Sequence, residues 1–367
     1  MNPKLDKFTV GIEEEYMICD PRTGDLVDKA SLIMNEFKDS KRFSYELIES
    51  EIEANTSIHT DINSAIKELS YLRSKINNFG KSNNFTLGVS GTHPTASPDK
   101  QKFIENESYR WVSNQLHYYA SRNMTFSTHF HIGIPDFNKV TIIMNSMRRW
   151  IAPLLALSTN SPFFDSVNTG MRSSRTMQFG AFPRTNIPKS FNTLDEYLNY
   201  TNKLMEIKSI EKMRHIWWKI RPHLDYNTLE FRVCDSQRSL KNVHMLTCLS
   251  RALVHKAYTD FEKTKYTNNL SVEYLNDSLW KASRFDMDAI IYDEVTDKNF
   301  TLYDFIEYMY DYCKDSLDIF EDNIKERLEH ILKHGTECDE QLRYYKKHNF
   351  DKLKLFLINE VEYLTKE

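Results

Sequence analysis

The chain has 367 residues, 40% of them hydrophobic and 27% charged, with a net charge of −4 and a pI near 6.3. These are globular values with room for a large core, and they exclude wholesale disorder and a basic footprint for nucleic acid. No run approaches the roughly 20 apolar residues of a membrane span, and Met1 to Lys7 has no apolar signal core, so a soluble cytoplasmic protein is expected.

The first element is the apolar run Phe8 to Ile18, interrupted by Gly11-Ile12-Glu13-Glu14-Glu15 and ended by the turn residues Asp20 to Asp25. As a strand it sends Glu13 and Glu15 to one face, with Val10, Ile12, Tyr16 and Ile18 on the other and Glu14 among them. Two like charges on one face repel unless something neutralises them, and a divalent cation does so economically. Next, Leu47 to Glu53 places Glu49, Glu51 and Glu53 together as a strand, and still pairs Glu49 with Glu53 as a helix. Thr60-Asp61 reads as a helix start, Ile62 to Ile76 supplies a 3.6-residue stripe, and Gly80 closes it. Phe85 to Ser90 reads as a strand running into the loop Gly91-Thr92-His93-Pro94.

Met124 to Pro135 alternates Ser127, His129, His131 and Gly133 against Phe126, Phe130, Ile132 and Ile134. His-x-His on a strand lets both imidazoles reach one metal. A helix kinked at Pro153 is expected over 138–160, and another from Thr193. The aromatic and basic stretch Ile216 to His223 leads into Thr228 to Asp235, where Glu230 and Arg232 share a face backed by Leu229, Phe231 and Val233. After Asp235 the pattern is almost entirely helical. Early strands wrapped by helices make an α+β chain, expected as one catalytic domain over 1–367: a strand-containing core at about 8–235, then a mainly helical part over 236–367.

Half a dozen carboxylates with His favour Mg²⁺ or Mn²⁺. Cys19, Cys234, Cys248, Cys313 and Cys338 are scattered without Cys-x-x-Cys spacing, as reduced thiols are, and offer neither a disulfide framework nor a zinc site. Such a cluster most often serves phosphoryl transfer. With only 9 glycines there is no Walker loop or dinucleotide fingerprint, so a nucleotide would be held through metals and basic side chains. Arg172, Arg175, Arg184, Arg221 and Arg232 are the candidates. A metal-dependent hydrolase built on His129-Phe130-His131, or a silent metal-binding relative, stays open at this point.

Taken in order, Gly11 to Glu15, Ile48 to Glu53, Gly91 to Pro94, His129 to Gly133, Ser173-Ser174-Arg175 with Ala181-Phe182-Pro183, and Trp218 to Pro222 with Glu230 to Asp235 form a series. It resembles the type 2 glutamate–cysteine ligase family of carboxylate–amine ligases, from about residue 8 to the segment Arg284 to Ala289. The resemblance implies a glutamine-synthetase-like fold: a curved antiparallel sheet forming a funnel, covered by helices, with a helical C-terminal part. It implies ATP- and Mg²⁺-dependent amide formation through an acyl phosphate, joining the γ-carboxylate of glutamate to cysteine or a different acid to a different amine. Small amino acids and ATP are then the partners, with neither nucleic acid nor membrane, and self-association stays open. By resemblance Glu13, Glu15, Glu49, Glu53, His129 and Glu230 are metal ligands. Arg232, Arg221 and Arg175 act on the transferring group, joined by Arg172 in holding nucleotide, while Thr92, His93, His131 and Trp218 are substrate contacts. One departure stands out: where the family commonly has Asp after the Trp of Trp-x-Ile-Arg-Pro, this chain has Lys219.

Overall fold

The computed structural model describes residues 5–264 and 270–364. The strands are β1 (Val10–Cys19), β2 (Phe43–Tyr45), β3 (Glu51–Asn55), β4 (Thr86–Gly88), β5 (Ser127–Gly133), β6 (Phe163–Phe164), β7 (Val167–Asn168), β8 (Ile220–His223), β9 (Thr228–Asp235), β10 (Ile290–Asp293) and β11 (Lys298–Thr301). The helices are α1 (Ala30–Glu36), α2 (Ile62–Asn83), α3 (Glu107–Leu116), α4 (Tyr118–Ser121), α5 (Val140–Met147), α6 (Ile151–Ser158), α7 (Ser174–Phe179), α8 (Leu194–Glu206), α9 (Leu240–Thr264), α10 (Val272–Arg284), α11 (Leu302–Phe320), α12 (Lys325–His334), α13 (Glu337–Lys347) and α14 (Phe350–Asn359). No helix among the described residues is long and apolar enough to cross a membrane.

One antiparallel sheet organises the chain in the order β2-β3-β1-β5-β9-β8, with β4 added to the far end of β1. Period-two alternation gives it two unlike faces. Val10, Ile12, Phe130, Ile132, Leu229, Phe231 and Val233 belong to the largest apolar cluster, shared with α2, α5, α6, α9 and α11. The opposite face carries the acids and imidazoles. Glu14 falls on the apolar face, as its parity requires, and is completely buried. It persists there because Arg73 of α2 meets it with two bonds of 2.9 and 2.8 Å, and Tyr16 donates a third of 2.5 Å. A buried carboxylate needs such pairing. Arg73 also donates to the carbonyls of Gln237, Arg238 and Glu362, tying β1 to the start of α9 and to the C-terminal residues.

Local chemistry explains most boundaries. Asp61 caps α2 through Asn63 and Ser64, and Asn84 ends it in the left-handed region, so the helix runs past the expected stop at Gly80. Thr193 caps α8 as expected. The helix expected over 138–160 breaks at Arg148–Trp150, upstream of Pro153. Pro153 stands in the first turn of α6, where its missing N–H is tolerated, and the α-turn it disrupts is the one reaching back to Arg149. The hairpin β10–β11 is a short interruption of the almost entirely helical pattern expected after Asp235. The start of α9 is capped from far away: Glu337 accepts from the backbone N–H of Arg238 and Ser239, and Glu362 from that of Leu240.

Candidate active site

Strand register assembles the site. In β1, Glu13 sits opposite His129 of β5 and Asn55 of β3, and Glu15 sits opposite Glu53. His131 of β5 pairs across to Glu230 of β9, which pairs with Arg221 of β8. The register shifts between Thr128 and Phe130, where β9 takes three steps from Cys234 to Phe231 against two on β5, while His129 and His131, two apart on β5, share the polar face by parity. The carboxylate of Glu13 lies 3.3 Å from Nδ1 of His129 and 3.1 Å from Nε2 of His131. Glu15 accepts bonds of 2.6 and 2.5 Å from the N–H and hydroxyl of Ser127, whose Oγ also lies 2.8 Å from Nε2 of His129.

Three overlapping groups of ligand atoms each lie within 4.8 Å: Glu13, Glu53 and His129; Glu13, His131 and Glu230; and Glu15, Glu46 and Glu53. Glu51 adds another carboxylate on the same face. Burial, and then the charges of the neighbouring carboxylates, push Glu46, Glu51 and Glu53 well above the usual carboxylate range. Burial works the same way on Glu13, but the imidazoles of His131 and His129 outweigh it and hold that carboxyl low. Glu230 is buried too, yet Arg221 and Arg232 keep it ionised. A divalent cation fits this donor set: hard carboxylate oxygens with imidazole, crowded enough to repel one another.

Cations face the acids from β8, β9 and α7. Arg221 donates at 2.5 and 3.3 Å to Glu230 and fills its remaining nitrogen with the carbonyls of Arg214 and Ile216. Arg232 donates at 2.5 Å to the same carboxylate. Arg175 is anchored by the carbonyls of Val233 and Arg232. Two cavities flank the acid row. One of about 100 Å³ is lined by Glu15, Glu46, Arg175, Phe179, Trp217 and Arg232. The other, of about 520 Å³, is lined by Glu13, Glu53, Arg42, His131, Ile58 and Tyr226.

Of the residues expected from sequence, Glu13, Glu15, Glu53, His129, His131, Glu230, Arg175, Arg221 and Arg232 come together on this face. Several others do not. The chain turns at Glu49 and Ser50 rather than extending, with the N–H of Glu51 bonded back to the carbonyl of Ile48. Glu49 therefore precedes β3, and its carboxylate accepts from the N–H and hydroxyl of Ser31 at the start of α1. Arg172 is taken by Asp286 and Asp339, bracing α13. Arg184 points its Nε to the carbonyl of His215. Thr92 donates to the carbonyl of Phe163, and His93 bridges Gly24 to the N–H groups of Thr95 and Ala96, so both hold loops. Gly91 is needed where it stands, since a Cβ there would come within 2.7 Å of Asp235. Trp218 packs into the core against Tyr200 and Phe191, and its neighbour Trp217 lines the cavity instead. Sequence reasoning missed Glu46, which follows β2 without any periodic signal, and set aside Glu51.

A curved, acid-lined antiparallel sheet backed by helices is the glutamine-synthetase-like fold. The chain superposes on a glutamate–cysteine ligase from Francisella tularensis in complex with AMP with a TM-score of 0.73 at 12% identity, covering 96% of this chain and 88% of that one. A bifunctional glutathione synthetase from Pasteurella multocida gives 0.68 at 13% identity, covering 98% of this chain and 53% of that one. Residues 9–356 match the model of glutamate-cysteine ligase family 2, and the chain belongs to that family. Among its relatives, a protein of Solibacter usitatus named "Putative glutamate--cysteine ligase 2" is 32% identical over 99% of this chain and 96% of its own length. A protein of the same name from Herpetosiphon aurantiacus is 33% identical over 92% of this chain and 89% of its own.

Proposed function

We propose that the protein is an ATP-dependent carboxylate–amine ligase that joins L-glutamate to L-cysteine, giving γ-glutamylcysteine, ADP and phosphate. One observation carries this reading: four strands bring Glu13, Glu15, Glu53, His129 and Glu230 onto one face opposite Arg175, Arg221 and Arg232, between two cavities. A row of acids beside a row of cations suits transfer of a phosphoryl group between two anions.

Glu13, Glu15, Glu46, Glu53, His129, His131 and Glu230 would hold Mg²⁺ or Mn²⁺. When bound, such metals offset the charge of the nucleotide phosphates. The γ-carboxylate oxygen takes the γ-phosphoryl group as ADP leaves. The cysteine amine then forms the C–N bond, phosphate departs with the acyl C–O bond, and the amine loses a proton. Arg232 and Arg175 face the charge that moves, and Arg221 fixes Glu230 by its paired bonds. The cavity of about 520 Å³ has the size of a nucleotide site, and Tyr226 and Arg42 give it an aromatic and a basic wall. Residues 1–367 act as one catalytic domain in this reading, supported by Arg73 binding β1 to residue 362.

ADP release with ATP and Mg²⁺ across a matrix of acids and amines, with mass spectrometry of products, tests the assignment. Release requiring both glutamate and cysteine is expected, and Glu13→Gln or Glu230→Gln should abolish it with the fold intact. Full activity in both variants would sink the mechanism. Release with another acid or amine would keep the chemistry and change the substrates.

A further inference from the structure

A third cavity, of about 760 Å³, is larger than either of the two beside the acid row. Residues of α2, α9 and α12 line it together with residues 362–364. Because α2 and α9 pack on the apolar face of the sheet, this cavity lies across the sheet from Glu13 and Glu230. Ile66, Leu240, Ile324 and the ring of Tyr363 give it apolar walls. Lys67, Lys241 and Arg327 add cations, and none of them has an ion-pair partner among the described residues. By contrast Lys325, on the same helix as Arg327, meets Glu329 one turn on at 3.6 Å. Arg327 is held in place by its Nε, which donates at 2.7 Å to Oδ1 of Asn242, itself a donor to Gln237 and Glu337. That bond leaves both terminal nitrogens of the guanidinium without an acceptor among the described residues. Of the two acids in the wall, Glu362 is committed to the hydroxyl of Ser239 and the N–H of Leu240, at 2.9 and 2.7 Å. Glu326 alone remains against the cations.

We propose that this cavity is a second binding site, for a small organic anion: its phosphate or carboxylate head meets Lys67, Lys241 and Arg327, and its apolar body lies against Ile66, Ile324 and Tyr363. The volume is that of a small-molecule site, and a few convergent polar groups in an apolar wall are what fixes a ligand's orientation. A guanidinium fork matches an oxyanion through two parallel bonds, and the Asn242 contact leaves that edge of Arg327 free while setting its direction. The local charge already registers on His330 in the same wall, whose imidazole is lowered by burial and then by Arg327. The occupant's contacts come from both ends of the chain, from Lys67 of α2 to Tyr363. Glu362 gives its carbonyl to Arg73, and Leu364 its N–H to Ser70, so that wall exists only in the folded protein. A ligand there binds the native state alone and stabilises it by mass action. The site is independent of the ligase reading, since none of its residues touches the acid row.

The test titrates the full chain with 8-anilinonaphthalene-1-sulfonate, an aromatic anion whose fluorescence rises on binding. Phenyl phosphate and 3-phenylpropionate, which differ in their anionic heads, serve as competitors, with neutral benzyl alcohol as the control. Wild type should bind the probe saturably and release it to at least one of the two anions, but not to benzyl alcohol. The double variant Lys67→Glu/Lys241→Glu should weaken probe binding about tenfold or more. Both lysines are exposed and unpaired, so its melting temperature without ligand should match that of wild type. Arg327→Met should weaken the probe as well, and Arg327→Lys should recover part of the loss. The displacing anion should raise the melting temperature of wild type and not that of the double variant. Displacement by phenyl phosphate alone assigns a phosphate head to the ligand, and displacement by 3-phenylpropionate assigns a carboxylate. Equal probe affinity in wild type, the double variant and Arg327→Met overturns the proposal. So does displacement by neither anion, or displacement by benzyl alcohol as effective as by the anions.

Discussion

Replacing Arg73 by Met should separate three adjacent acids by role. Arg73 and Glu14 are both fully buried and joined by bonds of 2.9 and 2.8 Å. Removing one partner of such a pair costs about 3–5 kcal/mol, because the other charge is left desolvated. The upper end is expected here, since the carbonyls of Gln237, Arg238 and Glu362 lose their donor too. The double variant Glu14→Met/Arg73→Met removes both charges and should recover part of the loss, giving a coupling energy of about 2 kcal/mol or more. Urea unfolding followed by tryptophan fluorescence measures each corner of the cycle, and ADP release per folded molecule should stay near wild type. A single-variant loss below about 1 kcal/mol, or simple additivity, would refute the pairing argument. Glu13→Gln and Glu15→Gln should do the reverse, sparing stability and ending turnover.

Other consequences can be checked alongside. His93 is buried and its pKa is lowered to about 4 from 6.5, mainly by burial. The unfolded chain therefore takes up a proton first as pH falls, and about 3 kcal/mol of stability, fully present above pH 6.5, should be lost between pH 6.5 and 4. His93→Gln should flatten that part of the stability–pH curve, and an unchanged slope would contradict it. Adding Mg²⁺ or Mn²⁺ should raise the melting temperature by relieving repulsion among Glu15, Glu46 and Glu53, and Glu46→Gln should shrink the rise; a shift identical in both proteins would remove Glu46 from the site. Glu49→Gln should keep turnover and lose about 1 kcal/mol through its bonds to Ser31, which calorimetry and ADP release together measure.

The polar face was legible wherever a strand alternated strictly. Within each of β1, β5 and β9 the sequence alone paired Glu13 with Glu15, His129 with His131 and Glu230 with Arg232 on one face, because period-two parity needs no tertiary information, and the strand register then brings the three faces together. It failed where the backbone turns. Glu49 reads as the strand-mate of Glu53, yet β3 begins only at Glu51, and Glu49 spends its carboxylate on α1. Glu46 reaches the cluster from a loop, which periodicity cannot reveal. Trp217 and Trp218 differ by one residue and occupy opposite sides, cavity and core, which the aromatic stretch by itself could not order. Arg172 and Arg175 are likewise neighbours with opposite fates, since Asp286 and Asp339 lie far along the chain.

The long-range cap on α9 bears on the order in which the protein can be made. The 25-residue helix carries the core behind the sheet, yet its first N–H groups wait for Glu337 and Glu362, about 100 and 120 residues downstream. While the chain emerges from the ribosome, β1 to β9 can pair long before those acids exist outside the tunnel. The sheet would then hold its acids on an unfinished scaffold, with Arg73 still short of one of its carbonyls. Completion is therefore a late event, and a closure over such sequence distances is slow. Nascent chains halted before residue 337 should accordingly remain open to proteases around residues 238–240, and become protected only once the last helices arrive.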